Sequence, residues 1–316
     1  MKLLITGSSG YIGRVLSRYF ARKGISVVGL DVQPDREWKN ANFRFVECDV
    51  TDRTRLGRIV REEMPTHFIH LAYLMNPLHD ERREMEIDVE GSKNAIMAAD
   101  FTPTVRQFIE FSSASAYGAY PDNPLWLREK RPLRPGDYRY GINKKKVEEL
   151  MNGFEKRDDL KLVVLRMCTL VGPTYHKKGG VVSLITRSPV LFRFGKEHAR
   201  VQFLHEEDLC SIMELILDDP DMEGTYNLAP DSCSTVSELA PGKVSIFLPE
   251  KAARAITSLG WALRLSSMRA PAVTISAHSI VIDPNRMMRR FDYTFRYSTQ
   301  EAFEETVRQR KERGTL

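Results

Sequence analysis

A chain of 316 residues with 42% hydrophobic and 28% charged side chains has room for one large domain or two coupled ones, and its composition excludes a disordered or membrane-embedded protein. The net charge of +5, from 47 basic and 42 acidic residues, is small, and the basic clusters Lys144-Lys145-Lys146 and Arg286 to Arg290 are short. A solvated surface is expected rather than a nucleic-acid footprint. The apolar stretch at 252–265 carries Arg254 and Arg264, and Met1 leads straight into a strand, so neither a membrane span nor a signal peptide is expected. Cys48, Cys168, Cys210 and Cys233 are scattered without a CxxC pair, which predicts free thiols, a reducing cytoplasmic compartment and no structural zinc.

In chain order, apolar runs at 2–6, 26–30, 43–47, 67–71, 107–111 and 161–167 read as buried strands. Between them, amphipathic spacing predicts helices over 11–23, 52–63, 81–99 and 140–154. This alternation predicts the α/β class: a doubly wound parallel sheet with right-handed crossovers and helices on both faces. After Gly172-Pro173 the pattern turns irregular, and Gly179-Gly180 marks a turn. A helix at 206–217 and a strand at 225–228 follow. The remainder mixes short strands and helices with no internal repeat. Its segment 250–265 sets Ala252, Ala253, Ile256, Leu259 and Leu263 at helical spacing, which predicts a core-facing helix; the alternative is a helix lining a lipophilic pocket. The chain thus divides into a first domain over 1–171, which also receives 205–229, and a smaller mixed α/β region over 172–316.

The chain's first chemical signal is Gly7-Ser8-Ser9-Gly10-Tyr11-Ile12-Gly13, set between a strand and a helix. The glycines permit a tight turn, close backbone approach to a pyrophosphate, and tight packing of helix on strand. The N–H groups of Ser9, Gly10, Tyr11 and Ile12 lie where a helix N-terminus faces phosphate. Asp31 ends the second strand, 18 residues after Gly13. A carboxylate there accepts hydrogen bonds from both adenosine ribose hydroxyls and repels a 2′-phosphate, favouring NAD over NADP. Arg36 lies close enough to keep NADP open. His67 and His70 are three apart on a strand and point to opposite faces, so no metal site is expected. A G-x-S-x-G elbow for Ser–His–Asp hydrolysis is absent.

With its GxxGxxG spacing the chain resembles the extended short-chain dehydrogenase/reductase family, the NAD-dependent epimerase/dehydratase group, over residues 2–228, with a weaker echo at 291–307. Cys48-Asp49-Val50 resembles the family's adenine-contacting segment, and His70-Leu71-Ala72 the loop flanking the cofactor. The run Ile87-Asp88-Val89-Glu90-Gly91-Ser92-Lys93-Asn94 resembles its N-V-x-G-T-x-N helix, with Asp88 in place of Asn. The run from Phe111-Ser112-Ser113-Ala114-Ser115 to Gly118 resembles its catalytic serine strand, and Tyr140-Gly141-Ile142-Asn143-Lys144 its YxxxK signature, with Glu148 following at the usual distance. Gln202-Phe203-Leu204-His205 opens a segment similar to F-[IV]-H-V-x-D-[LV].

The resemblance implies a Rossmann fold, bound NAD, a catalytic trio of Ser113, Tyr140 and Lys144, a small-molecule substrate, and a homodimer built on the helices at 81–99 and 140–154. NAD contacts are implied at Gly7, Ser9, Gly10, Tyr11, Ile12, Gly13, Asp31, Asp49, Val50, Leu71, Ala72, Tyr140 and Lys144. A free phenol, with a pKa of about 10, is a poor base at neutral pH. Lys144, one helical turn from Tyr140, would stabilise the phenolate and reach the nicotinamide ribose. Ser113 would donate to the substrate oxygen.

Departures from the pattern narrow the reaction. Sugar-nucleotide 4,6-dehydratases place Asp-Glu after the hydroxyl residue, and this chain has Ala114-Ser115, closer to the UDP-hexose 4-epimerases. A UDP-sugar is one candidate substrate, with Ser115, Thr169 and Arg200 as contacts. Thr169 stands where Asn often holds substrate phosphate, and Val201, beside Arg200, stands where Arg is common. No clear R-x-G-D segment precedes Ile282-Asp283. His176, Lys177, Lys178, Arg187, Arg193 and Arg200 are replacement charges or solvated surface. Two alternatives stay open: a dehydrogenase or ketoreductase of a small or lipophilic alcohol or ketone, and a non-catalytic NAD(P)-binding protein.

Overall fold

The computed structural model describes residues 1–34, 38–175, 181–195, 197–265 and 268–314. Arg36, His176, Lys177, Lys178 and the Gly179-Gly180 turn lie outside the described residues. In chain order the strands are β1 (Lys2–Thr6), β2 (Ser26–Asp31), β3 (Phe43–Glu47), β4 (His67–His70), β5 (Gln107–Ser113), β6 (Lys161–Met167), β7 (Thr169–Val171), β8 (Val190–Arg193), β9 (Arg200–Val201), β10 (Phe203–His205), β11 (Gly224–Leu228), β12 (Ser234–Thr235) and β13 (Val244–Phe247). The helices are α1 (Tyr11–Arg22), α2 (Arg53–Glu63), α3 (Glu81–Met85), α4 (Gly91–Asp100), α5 (Arg139–Asn152), α6 (Val181–Arg187), α7 (Glu206–Asp218), α8 (Val236–Leu239), α9 (Glu250–Ala262), α10 (Pro271–Ala277), α11 (Asn285–Phe291) and α12 (Thr299–Glu312).

Two compact units organise these elements. The first comprises residues 1–112, 143–166 and 210–226, and it carries a seven-stranded sheet of order β11-β6-β5-β4-β1-β2-β3. The pairings from β3 through β2, β1 and β4 to β5 are all parallel. Such strands are covered on both faces and read as continuous apolar runs, as in β1, where Leu3, Leu4 and Ile5 are fully buried. The direction of winding reverses beside β1, between β2 and β4. Such a switch point is the usual ligand position of this architecture. The core beneath it joins Leu4, Val28 and Leu30 to Phe68, Ile96, Phe108, Val147 and Val164.

The second unit holds residues 113–142, 167–209 and those from 227 onward. Its strands pair in twos: β7 with β10 and β8 with β13 in parallel, β9 with β12 antiparallel. Asp208 ties its C-terminal part down, accepting from the Tyr293 hydroxyl at 2.6 Å and from the Arg296 and Tyr297 N–H groups. The Ser298–Glu301 capping box then starts α12.

Two expected helices differ from the sequence reading. The helix over 81–99 is interrupted by a π turn at Glu86–Glu90. The extra residue lets Asp88 turn inward to the Leu74 N–H at 2.9 Å and the Asn143 side chain at 3.0 Å. Helix α9 forms as expected, but only Ala253 of its apolar residues is buried; Ile256, Leu259 and Leu263 face solvent. Its inner side is held by polar contacts instead: Arg254 donates to Asp137 at 2.6 Å and to Thr274 at 2.7 Å.

Candidate active site

The glycine turn follows β1. Gly7 has φ of +68°, and a Cβ there would sit 2.7 Å from the Leu71 carbonyl and the Ala72 nitrogen. A side chain is excluded on both counts. A Cβ on Gly13 would collide with the Gly7 carbonyl oxygen, so α1 lies directly on the turn. Gly10 caps α1 without a side-chain hydrogen bond, and the first turn holds no acid. The Gly10 N–H is bonded to the Gly7 carbonyl at 3.0 Å, and a helix N-terminus with no acid in its first turn suits an anion. Asp31, at the end of β2, accepts from the Ser9 N–H at 3.1 Å and stays half-buried. The Ser9 amide is therefore committed to the acid, whereas the sequence reading gave it to phosphate.

Farther along the same unit, Asp49 accepts from the Thr51 N–H and hydroxyl and from Arg83 at 3.0 Å. Burial pushes its carboxyl up, but these bonds and the Arg83 charge outweigh it and hold the group below the usual range. Val50 packs against Gly91, and its carbonyl accepts from Asn94 at 3.0 Å. Leu71 donates its N–H to Thr6.

In the second unit, Ser113 ends β5 and caps a short turn over Ala114–Tyr117. Its Oγ accepts from the Ser115 N–H at 3.2 Å and the Ser115 hydroxyl at 3.0 Å, which leaves its own proton to donate. Helix α5 begins hard against this turn: a Cβ on Gly141 would lie 2.7 Å from the Ser115 carbonyl oxygen. Glycine in the second position of the YxxxK signature therefore lets the start of the Tyr140 helix approach the Ser113–Ser115 turn. Beside them, Ala119, Tyr120, Pro135, Gly136, Tyr138 and Thr274 line a pocket of about 170 Å³. Thr169 is exposed on β7, and Arg200 is exposed on β9, with its N–H bonded to Ser279 at 2.8 Å. The serine turn, the start of α5 and these two strands all belong to the second unit.

Tyr140 and Lys144 lie one turn apart on α5. Within the first unit the Lys144 ammonium is buried, 3.1 Å from Glu110 Oε1, bonded to the Phe111 carbonyl, and 3.5 Å from the centre of the Tyr73 ring. The sequence reading missed Glu110. The only available signal was a charge inside the apolar run Phe108-Ile109-Glu110-Phe111. Glu110 is fully buried, and its Oε2 has no partner among the described residues. Burial pushes its carboxyl up to about 7, against the pull of Lys144, with Glu148 and Asp88 adding to the rise. Burial likewise raises Asp88 to about 6, opposed by its bonds from Leu74 and Asn143 and by the Lys144 charge. His70, between Thr6 at 2.7 Å and Ser92 at 3.1 Å, is pushed down to about 3 by burial and then by Lys144, so it stays neutral. Glu148 accepts from Ser112 and pairs with Arg166, whose Nη2 lies 2.6 Å away.

The model of the NAD dependent epimerase/dehydratase family matches residues 3–229. The chain belongs to that family. It is accordingly an enzyme, its cofactor is NAD, and the glycine cradle and Asp31 fit that group. The low-salt glycan biosynthesis protein Agl12 of Haloferax volcanii is 24% identical over 72% of this chain and 76% of its own length. Among solved structures, Bordetella bronchiseptica WbmG, in complex with NAD and UDP, superposes with a TM-score of 0.79 at 21% identity, covering 99% of this chain and 95% of that one. The Thermotoga maritima UDP-glucose 4-epimerase, with UDP-glucose, gives 0.78 at 21% identity and 99% of both chains. At these identities the likeness is one of fold.

Proposed function

We propose that the chain is an NAD-dependent epimerase of a nucleotide sugar, working through a transient keto intermediate. The observation that carries this reading is the hydroxyl turn Ser113-Ala114-Ser115, packed against the start of the Tyr140 helix with no carboxylate in the position dehydratases use to eliminate water. Family members crystallised with UDP or UDP-glucose support the substrate class.

Tyr140 removes the proton of the sugar hydroxyl, and Ser113 donates a hydrogen bond to the same oxygen as it becomes a carbonyl. NAD, when bound, supplies a hydride acceptor and the same hydride for the return. Tyr140 gives its proton back once the keto sugar has presented its other face, so no net oxidation occurs. Lys144 holds the positive charge that favours the phenolate, and Glu110 sets how much of that charge is neutralised. Gly7, Gly10, Gly13 and the amides of Tyr11 and Ile12 would cradle the pyrophosphate; Asp31 would take the adenosine ribose, and Asp49, Val50, Leu71 and Ala72 would flank the adenosine and nicotinamide. Ser115, Thr169 and Arg200 would contact the sugar nucleotide. Residues 1–171 with 205–229 would form the cofactor half and 172–316 the substrate half, with a homodimer on the helices at 81–99 and 140–154.

A second reading, a dehydrogenase or ketoreductase of a lipophilic substrate, draws on Thr169 and Val201, which leave the expected diphosphate clamp incomplete. Mass spectrometry of small molecules released from freshly purified protein separates the two. Retained NAD with a trapped nucleotide sugar is the expected result. An empty site, with net absorbance change at the nicotinamide band when ketones or alcohols are added, would overturn the epimerase reading in favour of the second.

A further inference from the structure

Helix α9 is amphipathic in the reverse of the usual sense. Its polar side faces inward, where Arg254 bonds Asp137 and Thr274, and Glu250 accepts from Thr274 at 2.6 Å. Its apolar side faces out: Ile256 is 63% exposed, Leu259 61% and Leu263 59%, and Leu265 just beyond the helix reaches 81%. The first three repeat at i, i+3 and i+7, so they form one stripe. Single exposed leucines need no explanation, but a contiguous apolar face marks a contact surface.

Charge identifies the occupant. Lys251 stands at the start of the helix and Arg264 at its end, both exposed. The one acid of the helix, Glu250, is turned to Thr274 and lies 3.4 Å from His278. A second copy docked on this stripe about a two-fold axis would set these cations against one another. An anionic lipid surface would supply the missing counter-charge, and its acyl chains the missing apolar cover. Thirteen residues make a helix of about 20 Å, and no helix among the described residues is long and apolar enough to cross a membrane. A contact of this size lies in the plane of the interface.

We propose that α9 docks the enzyme on an anionic membrane surface, with Ile256, Leu259, Leu263 and Leu265 among the acyl chains and Lys251 and Arg264 at the headgroups. This departs from the expectation, drawn from the sequence, of a protein with no membrane contact, and it holds for either substrate reading.

The test is co-sedimentation of the full chain with phosphatidylcholine vesicles, plain or doped with phosphatidylglycerol. Binding to the doped vesicles is expected to be stronger by about tenfold or more, and to weaken with added salt. The triple variant Ile256→Ser, Leu259→Ser, Leu263→Ser should lose it while melting at the wild-type temperature. The double variant Lys251→Gln, Arg264→Gln should lose most of the preference for phosphatidylglycerol. Failure of the folded wild type to sediment with either vesicle at low salt overturns the proposal. So does undiminished binding by the triple variant. Self-association in sedimentation velocity that the triple variant abolishes, without vesicle binding, would assign the stripe to a second copy instead.

Discussion

The interior of the first unit holds a set of buried charges, and one helix region of the second exposes hydrocarbon: Glu110, Lys144, Glu148 and Arg166 lie inside the one, while Ile256, Leu259 and Leu263 face water on the other. Each departs from the ordinary rule that charge stays wet and hydrocarbon stays dry. The departures differ in cost. A buried ion loses hydration worth several kcal/mol and persists only with partners. Here Lys144 has Glu110 and a carbonyl, and Glu148 has Arg166 and Ser112. An exposed leucine merely forgoes a gain. Stability should therefore be sensitive to the first set and nearly indifferent to the second.

The largest expected effect is on the chemistry. Tyr140→Phe removes the proposed proton carrier, and turnover should fall by about 10³-fold or more, some 4 kcal/mol in the barrier, with NAD still bound. Turnover of the released sugar nucleotide and an NAD titration measure the two halves of that statement; near-normal turnover would remove Tyr140 from its role. Next comes Arg166→Met, which leaves Glu148 buried with only a hydroxyl. A loss of about 3 kcal/mol is expected in urea unfolding. A loss as small as a surface mutation gives would mean that the buried charges of the first unit are not what they appear from their contacts.

Glu110→Gln acts through pH. The carboxyl is raised from its ordinary 4.5 to about 7, so the folded state holds a proton that the unfolded chain has already released. Its contribution is fully present below about 4.5 and is lost as pH rises through 7. His67 and His70, lowered to about 4 and 3, work in the opposite sense, and their effect is complete only about a unit above the unfolded imidazole's 6.5. Asp88, raised to about 6, acts in the same direction as Glu110 but ends earlier. Between pH 6.5 and 7.5 the Glu110 fall, at roughly 1 kcal/mol per unit or less, is largely offset by the rise that the two histidines still supply. Thermal melts across that window should run nearly flat in the wild type and slope upward in the variant. The smallest effect is Leu259→Ser, whose side chain is mostly in water: melting should shift by no more than about 0.5 kcal/mol in stability. A large loss there would erase the contrast between the units.

Much of the first unit was legible because its signals are local. Apolar runs of strand length and a glycine triplet between strand and helix need no knowledge of distant residues, and the fold follows from them. The spacing of Tyr140 and Lys144 is equally local. The partner of Lys144 was not, because Glu110 lies 34 positions away and reads as an interruption in a strand. The π turn at Glu86–Glu90 escaped because it answers to Leu74 and Asn143, not to its own periodicity. Helix α9 shows the limit most clearly. Periodicity declared that one face is apolar, but which face is covered depends on what packs there, and Arg254, Asp137 and Thr274 decided it.

The order of the large sheet constrains how the chain can be made and cut. Strand β11 pairs beside β6, although 56 residues separate Met167 from Gly224. During translation the first six strands of the sheet emerge together, and β6, rich in Val and Leu, waits as an open edge until residue 228 has left the ribosome. A truncation ending near residue 171 would freeze that edge permanently. Expression of residues 1–171 alone should yield aggregates, whereas a chain that retains β11 has the strand that closes the edge.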